Sequence, residues 1–176
     1  MDTAKILRAT LFAAEKHSSQ RRKDGVSPYI NHPLELANLL ANDAGIVNTD
    51  VICAALLHDT IEDTETTAAE LEALFGAQVT AIVLEVTDDK SLPKLVRKQQ
   101  QIEAAPDLSH AAKLVKLADK ICNLRDLLTA PPRDWSVVRK LEYFDWAAAV
   151  VAGLRGTHPV LEALFAVVYA HREDLA

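Results

Sequence analysis

The run Val51-Ile-Cys-Ala-Ala-Leu-Leu-His-Asp-Thr-Ile-Glu-Asp-Thr64 constrains the fold more than any other stretch of this chain. It begins as apolar as a protein core and closes on four ionisable residues, His58, Asp59, Glu62 and Asp63. Burying such groups unpaired costs on the order of several kcal/mol each. Something has to compensate them, and a divalent metal is the commonest candidate. On one continuous helix His58 stacks over Glu62 and Asp59 over Asp63 at i,i+4 spacing, so all four project from adjoining strips of one face. That arrangement suits metal ligands with a carboxylate acid or base beside them. The plainer alternative is a core helix emerging into water.

The 176 residues suffice for one domain with a substantial core, and 49% of them are hydrophobic. Five glycines and no low-complexity stretch argue against a linker, so residues 1–176 are expected to form a single unit. No apolar run approaches the roughly 18 residues of a membrane span, and the N-terminus has no signal-peptide pattern. A cytoplasmic protein without membrane contact is therefore expected. Cys53 and Cys122 lie in apolar helical patterns and read as reduced core thiols. A net charge of −6 argues against a nucleic-acid partner, though clustered basic residues leave room for a small anionic ligand.

Helical periodicity dominates, and an all-α bundle of about eight to ten helices is expected. Apolar residues recur at helical spacing from Ala4 to Ser19, and Gln20 to Asn31 reads as a polar loop broken by Gly25 and Pro28. Pro33 is expected to open a helix to about Asn42, and Thr49 or Asp50 to cap the helix that carries His58. Thr67-Ala-Ala-Glu70 has capping-box spacing before a short helix ending near Gly76. Later helices are expected over Gln78–Val86, Lys94–Ala104, His110–Leu128, Trp135–Leu154 and Pro159–Arg172. Trp135 and Trp146 are expected to share a helix face, and His17, His110, His158 and His171 to be surface or cap residues.

Two further positions can complete a metal set. His32 ends the loop segment Pro28-Tyr-Ile-Asn-His-Pro33, and Asp119 is a charge near the buried side of Lys113-Leu-Val-Lys-Leu-Ala-Asp-Lys-Ile-Cys-Asn-Leu124. With His58 and Asp59 they would give two imidazoles and two carboxylates, a donor set suited to Mn²⁺ or Fe²⁺ and less plainly to Zn²⁺ or Co²⁺. Spacing alone is a weak argument, because a single histidine before proline is more often an ordinary loop residue.

Five ordered strings add a resemblance: Arg21-Arg-Lys-Asp24, Pro28-Tyr-Ile-Asn-His-Pro33, His58-Asp-Thr-Ile-Glu-Asp-Thr64, Val86-Thr-Asp-Asp-Lys90 and Lys116-Leu-Ala-Asp-Lys-Ile-Cys-Asn-Leu124. Together, from about Ala4 to Leu154, the chain resembles the hydrolase domain of the stringent-response alarmone enzymes, within the HD phosphohydrolase superfamily. It is most similar to the stand-alone small alarmone hydrolases. The resemblance implies one Mn²⁺ ion and removal of the 3′-pyrophosphate from guanosine tetra- or pentaphosphate (ppGpp, pppGpp), giving GDP or GTP. It implies His32, His58, Asp59 and Asp119 as metal ligands, with Glu62 and Asp63 activating water and handling protons. It also implies Arg22, Lys23, Lys94 and Arg139 at the phosphates, and Asn123 and Tyr143 at the nucleoside. These four basic residues belong to a wider group of candidate cations with Arg21, Lys98, Lys113, Lys116, Lys120 and Lys140, about half of which are expected to be solvated surface charge.

A loop from Asp24 to Pro28 one residue short of the relatives, and Cys122 where they often carry an aromatic residue or histidine, leave base preference open. Too few residues follow the last motif for a synthetase half, so the expectation is an alarmone eraser with no opposing activity. Two rivals stand beside it: a phosphatase of another nucleotide, such as the 2′-phosphate of NADPH, and a non-catalytic module that binds alarmone. Oligomeric state is not legible in the sequence.

Overall fold

The computed structural model describes residues 1–175. Among them are ten α-helices: α1 (Thr3–Lys16), α2 (Asn31–Asn38), α3 (Thr49–Leu57), α4 (Thr60–Asp63), α5 (Ala68–Phe75), α6 (Ala77–Val86), α7 (Lys94–Ala104), α8 (His110–Thr129), α9 (Val137–Ala152) and α10 (Pro159–Ala170). A lone bridge between Arg21 and Pro28 is the only β pairing among the described residues. The chain is thus the expected all-α bundle.

Every residue from Val51 to Leu57 is buried. A helix that is apolar all round belongs in the middle, and α3 packs against α1, α2, α6 and α8. The second axis is α8, whose Leu114, Leu117, Ala118, Ile121 and Leu124 recur at helical spacing on its buried side. It meets α2, α3, α6, α9 and α10. Each fully buried leucine or isoleucine contributes roughly 1.5–3 kcal/mol, so these two helices fix the frame on which the site is mounted. By contrast α7 buries none of its residues and carries a polar inner face.

The helix starts show where local chemistry prevails. Asn48 caps α3, its side-chain oxygen accepting from Asp50 N at 2.9 Å and Val51 N at 3.3 Å, so the expected caps Thr49 and Asp50 already lie inside the helix. Thr67 caps α5 as its spacing predicts, accepting from Glu70 N at 3.2 Å. Gly76, at φ +86°, separates α5 from α6. The second helix begins at Asn31, two residues before Pro33, and runs on into a π-helical turn over Leu39–Asp43. Trp135 lies before α9 begins, so it does not share a helix face with Trp146; the two rings instead flank Tyr143, with centroids 5.7 and 5.1 Å away.

The expected continuous helix through Val51–Thr64 is interrupted. α3 stops at Leu57, His58 and Asp59 form a turn, and α4 resumes for four residues. At the break the Thr60 hydroxyl donates to Leu57 O at 2.7 Å, the carbonyl that a straight helix would give to the amide of Ile61.

Candidate metal centre and substrate cleft

Three elements that are remote in sequence deliver the four expected ligands to one place. His32 comes from α2, His58 and Asp59 from the α3–α4 break, and Asp119 from α8. Ligand atoms of His32, His58 and Asp59 all lie within 4.8 Å of one another. Asp119 Oδ1 completes the set, 3.2 Å from His32 Nε2 and 3.9 Å from His58 Nε2. Both imidazoles are buried and their ring centroids are 5.2 Å apart.

The orientation of His58 is decisive for what the cluster can hold. Its Nδ1 donates to Ala55 O at 2.8 Å, which leaves Nε2 with a lone pair facing inward. That Nε2 is 2.9 Å from Asp59 Oδ2 but is not aligned for a hydrogen bond, and it is a buried nitrogen without a bonding partner. His32 Nε2 and Asp119 Oδ1 hydrogen-bond each other at 3.2 Å, so the unpartnered His58 Nε2 among these carboxylates is the position that a cation would join to them. The electrostatics agree. Burial opposes a charged His58, yet the adjacent Asp59 and Asp119 carboxylates outweigh it and raise its pKa to about 9. Burial likewise opposes ionised Asp59, and the His58 imidazole outweighs it, holding the carboxyl well below its usual range. For Asp119 the same burial is overcome by Lys120 and His32. The site keeps both carboxylates ionised and strains to place positive charge among them, so its donor set fits a divalent metal.

Further hydrogen bonds tie the carboxylates down, including one from Lys120 Nζ to Asp119 Oδ2 at 3.0 Å. The Tyr29 hydroxyl donates to Asp59, and Asn123 Nδ2 donates to Asp119 Oδ1 at 2.5 Å. Asn123 also accepts from Arg22 at 3.4 Å, and Arg22 pairs with Asp126. Glu62 and Asp63 face the same cleft from α4. The Glu62 carboxylate accepts from Asp88 N at 3.0 Å, and Asp63 is paired with Lys90. Burial raises the Glu62 carboxyl above its ordinary pKa, with nearby Asp59 adding to the effect.

Around this centre lies a cleft of about 310 Å³. Its lining also carries five cations, Lys94, Arg97, Lys98, Lys116 and Lys120, of which Lys120 reaches Asp119 Oδ2 at 3.0 Å and Arg97 lies 3.8 Å from Glu62. A second cavity of about 180 Å³ adjoins it through Arg22, Lys23, His32, Asn123 and Tyr143, which line both. That smaller space is finished by acceptor-bearing Glu35 and Asp126 and by apolar Leu127 and Pro132. Arg139 is placed farther out, over the Trp135 ring at 4.3 Å, on an outer surface shared with Lys23, Lys94 and Lys98.

The family model for the HD domain matches residues 9–144, more than half of the chain. The chain belongs to the HD-domain family. Among HD-domain relatives, the Homo sapiens protein named guanosine-3′,5′-bis(diphosphate) 3′-pyrophosphohydrolase MESH1 is 58% identical over 162 residues, covering 92% of this chain and 90% of its own. The Drosophila melanogaster protein of the same name is 46% identical over 171 residues, covering 97% and 96%. A solved structure described as a metazoan orthologue of SpoT that hydrolyses ppGpp superposes with a TM-score of 0.94 at 46% identity, covering 98% of this chain and 97% of its own. This HD-domain chain is therefore a member of the small alarmone hydrolase group that its motifs resemble.

Several site residues escaped the sequence reading. Arg97 is not distinguishable in sequence from surface charge, while Lys116 and Lys120, candidate cations beside Asp119 in the sequence, do line the cleft; the 3.6-residue period of α7 is the signal that could single Arg97 out. Lys90 and Asp88 lie within the Val86–Lys90 string, and they brace Asp63 and Glu62. His17, expected at the surface or at a cap, is the C-cap of α1 yet fully enclosed, 2% exposed. His158 and His171 do sit at the ends of α10. Cys53 and Cys122 are buried free thiols, and burial pushes the latter up to about 12, which keeps it inert.

Proposed function

We propose that this enzyme hydrolyses the 3′-diphosphate of guanosine tetra- or pentaphosphate with one Mn²⁺ ion held by His32, His58, Asp59 and Asp119. The observation that carries this reading is a single cleft that brings together a buried His58 nitrogen without a bonding partner, the Asp59 and Asp119 carboxylates and five cations. The names of its relatives give the nucleotide. A bound divalent cation supplies Lewis acidity at the phosphoryl oxygens and lowers the pKa of water.

The protein's own residues do the rest. Arg97, Lys98, Lys116 and Lys120 receive the 3′-diphosphate and neutralise its charge. Arg22, Lys23, Asn123 and Tyr143, shared by both cavities, bracket the sugar, and the smaller cavity takes the base. Glu35 and Asp126 there offer acceptors to the N–H groups on the edge of guanine. Lys94 and Arg139 reach the 5′-phosphates along the outer wall. Glu62, with its raised pKa, takes a proton from the attacking water, and the Glu62–Asp63 pair returns one to the departing ribose 3′-oxygen. The bond from phosphorus to the 3′-oxygen breaks, leaving GDP or GTP and pyrophosphate. Residues 1–176 would act as one domain, in the cytoplasm.

Pyrophosphate release from ppGpp by metal-stripped protein, with and without Mn²⁺, tests this directly. Activity that needs both Mn²⁺ and Asp59, judged by Asp59→Asn, is the expected result. Metal binding without release would move the substrate elsewhere, and phosphate release from NADPH would then decide for the rival phosphatase.

A further inference from the structure

The one-turn helix α4 carries both proton-handling carboxylates but is only four residues long. A helix that short has no stability of its own in water, so its position must be imposed from outside. Beyond the contacts that Asp88 N and Lys90 make with the Glu62 and Asp63 side chains, two restraints hold its ends. One lies at its start, where the Tyr29 hydroxyl bonds Asp59. The other lies at its end, where the Gln20 side-chain amide donates to Asp63 O at 2.7 Å.

Gln20 can do this in only one orientation. A carbonyl only accepts, so the amide NH₂ must face Asp63 and Gln20 Oε1 must point away. Oε1 lies 2.8 Å from His17 Nδ1, which must then be the protonated ring nitrogen. His17 Nε2 is consequently an acceptor, and it is buried with no partner. Leaving such a nitrogen unsatisfied costs free energy, which a ring chosen for packing alone would not incur. The same imidazole lies against the Tyr29 ring, with centroids 4.8 Å apart. Backbone bonds from Tyr29 N to Gln20 O and from Gln20 N to His17 O close the unit.

We propose that His17 and Gln20 are positioning residues for the proposed reaction: His17 locks the Gln20 amide against flipping, and Gln20 fixes the Asp63 end of α4. The inference rests on the reading of Asp63 given under Proposed function. Without His17, Gln20 is free to turn its oxygen toward Asp63 O, and the repulsion releases α4.

The experiment compares His17→Phe, Gln20→Leu and the double variant, each with and without Asp63→Asn. Turnover of ppGpp is normalised to folded protein, and Mn²⁺ affinity is titrated separately. Displacements near 1 Å cost up to about 100-fold in rate, so a partial release should lower kcat about tenfold in each single variant. KM and Mn²⁺ affinity should stay within about twofold, because the Tyr29–Asp59 contact survives; these thresholds follow the near-neutral range of non-contact changes. The double variant should be no worse than either single one, and on an Asp63→Asn background each change should cost less, because only the displacement of Glu62 remains to be felt. His17→Asn, which keeps a nitrogen donor on Cγ, should restore most of the rate. Losses that simply track thermal stability, or that add independently, would overturn the inference. Hydrogen exchange at the Asp63 and Thr64 amides tests it without substrate. Unchanged protection in both single variants would sink the positioning role even if the wild-type chain released no pyrophosphate, an outcome that by itself counts against the proposed reaction alone.

Discussion

Lys116 carries an ammonium group to a place where few side chains keep a charge. It is 6% exposed, its Nζ donates to Val86 O at 2.9 Å, and no carboxylate among the described residues comes within ion-pair distance. Burial, with Lys120 nearby, pushes it down to about 8 from 10.5. The unfolded chain holds that proton between these values while the folded one releases it, so stability rises as pH climbs from about 8 toward 10.5. Below pH 8 the charge is retained and its full burial penalty, roughly 3 kcal/mol, is present. Losing the bond to Val86 O offsets about 1 kcal/mol of what its removal returns. Lys116→Met should therefore be more stable than wild type at pH 7 by about 1–2 kcal/mol in chelator, with the difference shrinking between pH 8 and 10. Its KM for ppGpp should rise, since the cleft loses a cation. Denaturant unfolding at several pH values checks the first part, and a Lys116→Met chain less stable than wild type at pH 7 would contradict it. Nothing in the spacing Lys113, Lys116, Lys120 announced this. Lys113 on the same helix reaches back to Pro106 O at its rim, and only tertiary packing separates the two.

At the scale of elements, helical periods and stop signals were legible, and so was the capping box at Thr67, because each is written in neighbouring residues. The break at His58–Asp59 was not. The run before it is uniformly apolar and the run after it keeps i,i+4 spacing, so a straight helix satisfied the sequence equally well. At the break one hydroxyl, that of Thr60, stands where a backbone amide would bond in a straight helix. Thr60 is fully buried, so its substitution by valine keeps the volume and removes only the bond to Leu57 O. An unsatisfied buried carbonyl costs about 1–3 kcal/mol. For a chain of this length that lowers Tm by roughly 2–10 °C. Because α4 hangs from the break, turnover should fall as well, with Mn²⁺ affinity following the displacement of Asp59. Calorimetry and metal titration of Thr60→Val measure both, and a variant matching wild type in Tm would show that the backbone holds the turn unaided.

The whole molecule determines what no local window could, which is that His32, the His58–Asp59 turn and Asp119 meet. Their ionisable character was visible in the sequence, while their convergence depends on α2, α3 and α8 packing together in the core. A cation held there joins three elements that are otherwise linked only by side-chain packing, so it should act as a cross-link as well as a cofactor. Binding to the folded chain alone stabilises it by about 2.7 kcal/mol at a hundredfold excess over Kd. For this length that corresponds to a rise in Tm of roughly 5–10 °C on adding Mn²⁺ to stripped protein. The effect should be uneven. Amides at the start of α2, around His58 and in the middle of α8 should gain protection from exchange, whereas α10, which packs on α8 and contributes nothing to the cleft, should change little. Asp59→Asn should fold to the same helical content and lose most of the Mn²⁺-induced shift, since it removes one of the two ionised carboxylates that would offset the cation's charge. Glu62→Gln should keep the shift and lose turnover. If Glu62→Gln lost metal stabilisation as completely as Asp59→Asn, the division between the carboxylates that hold the ion and those that handle the proton would have to be redrawn.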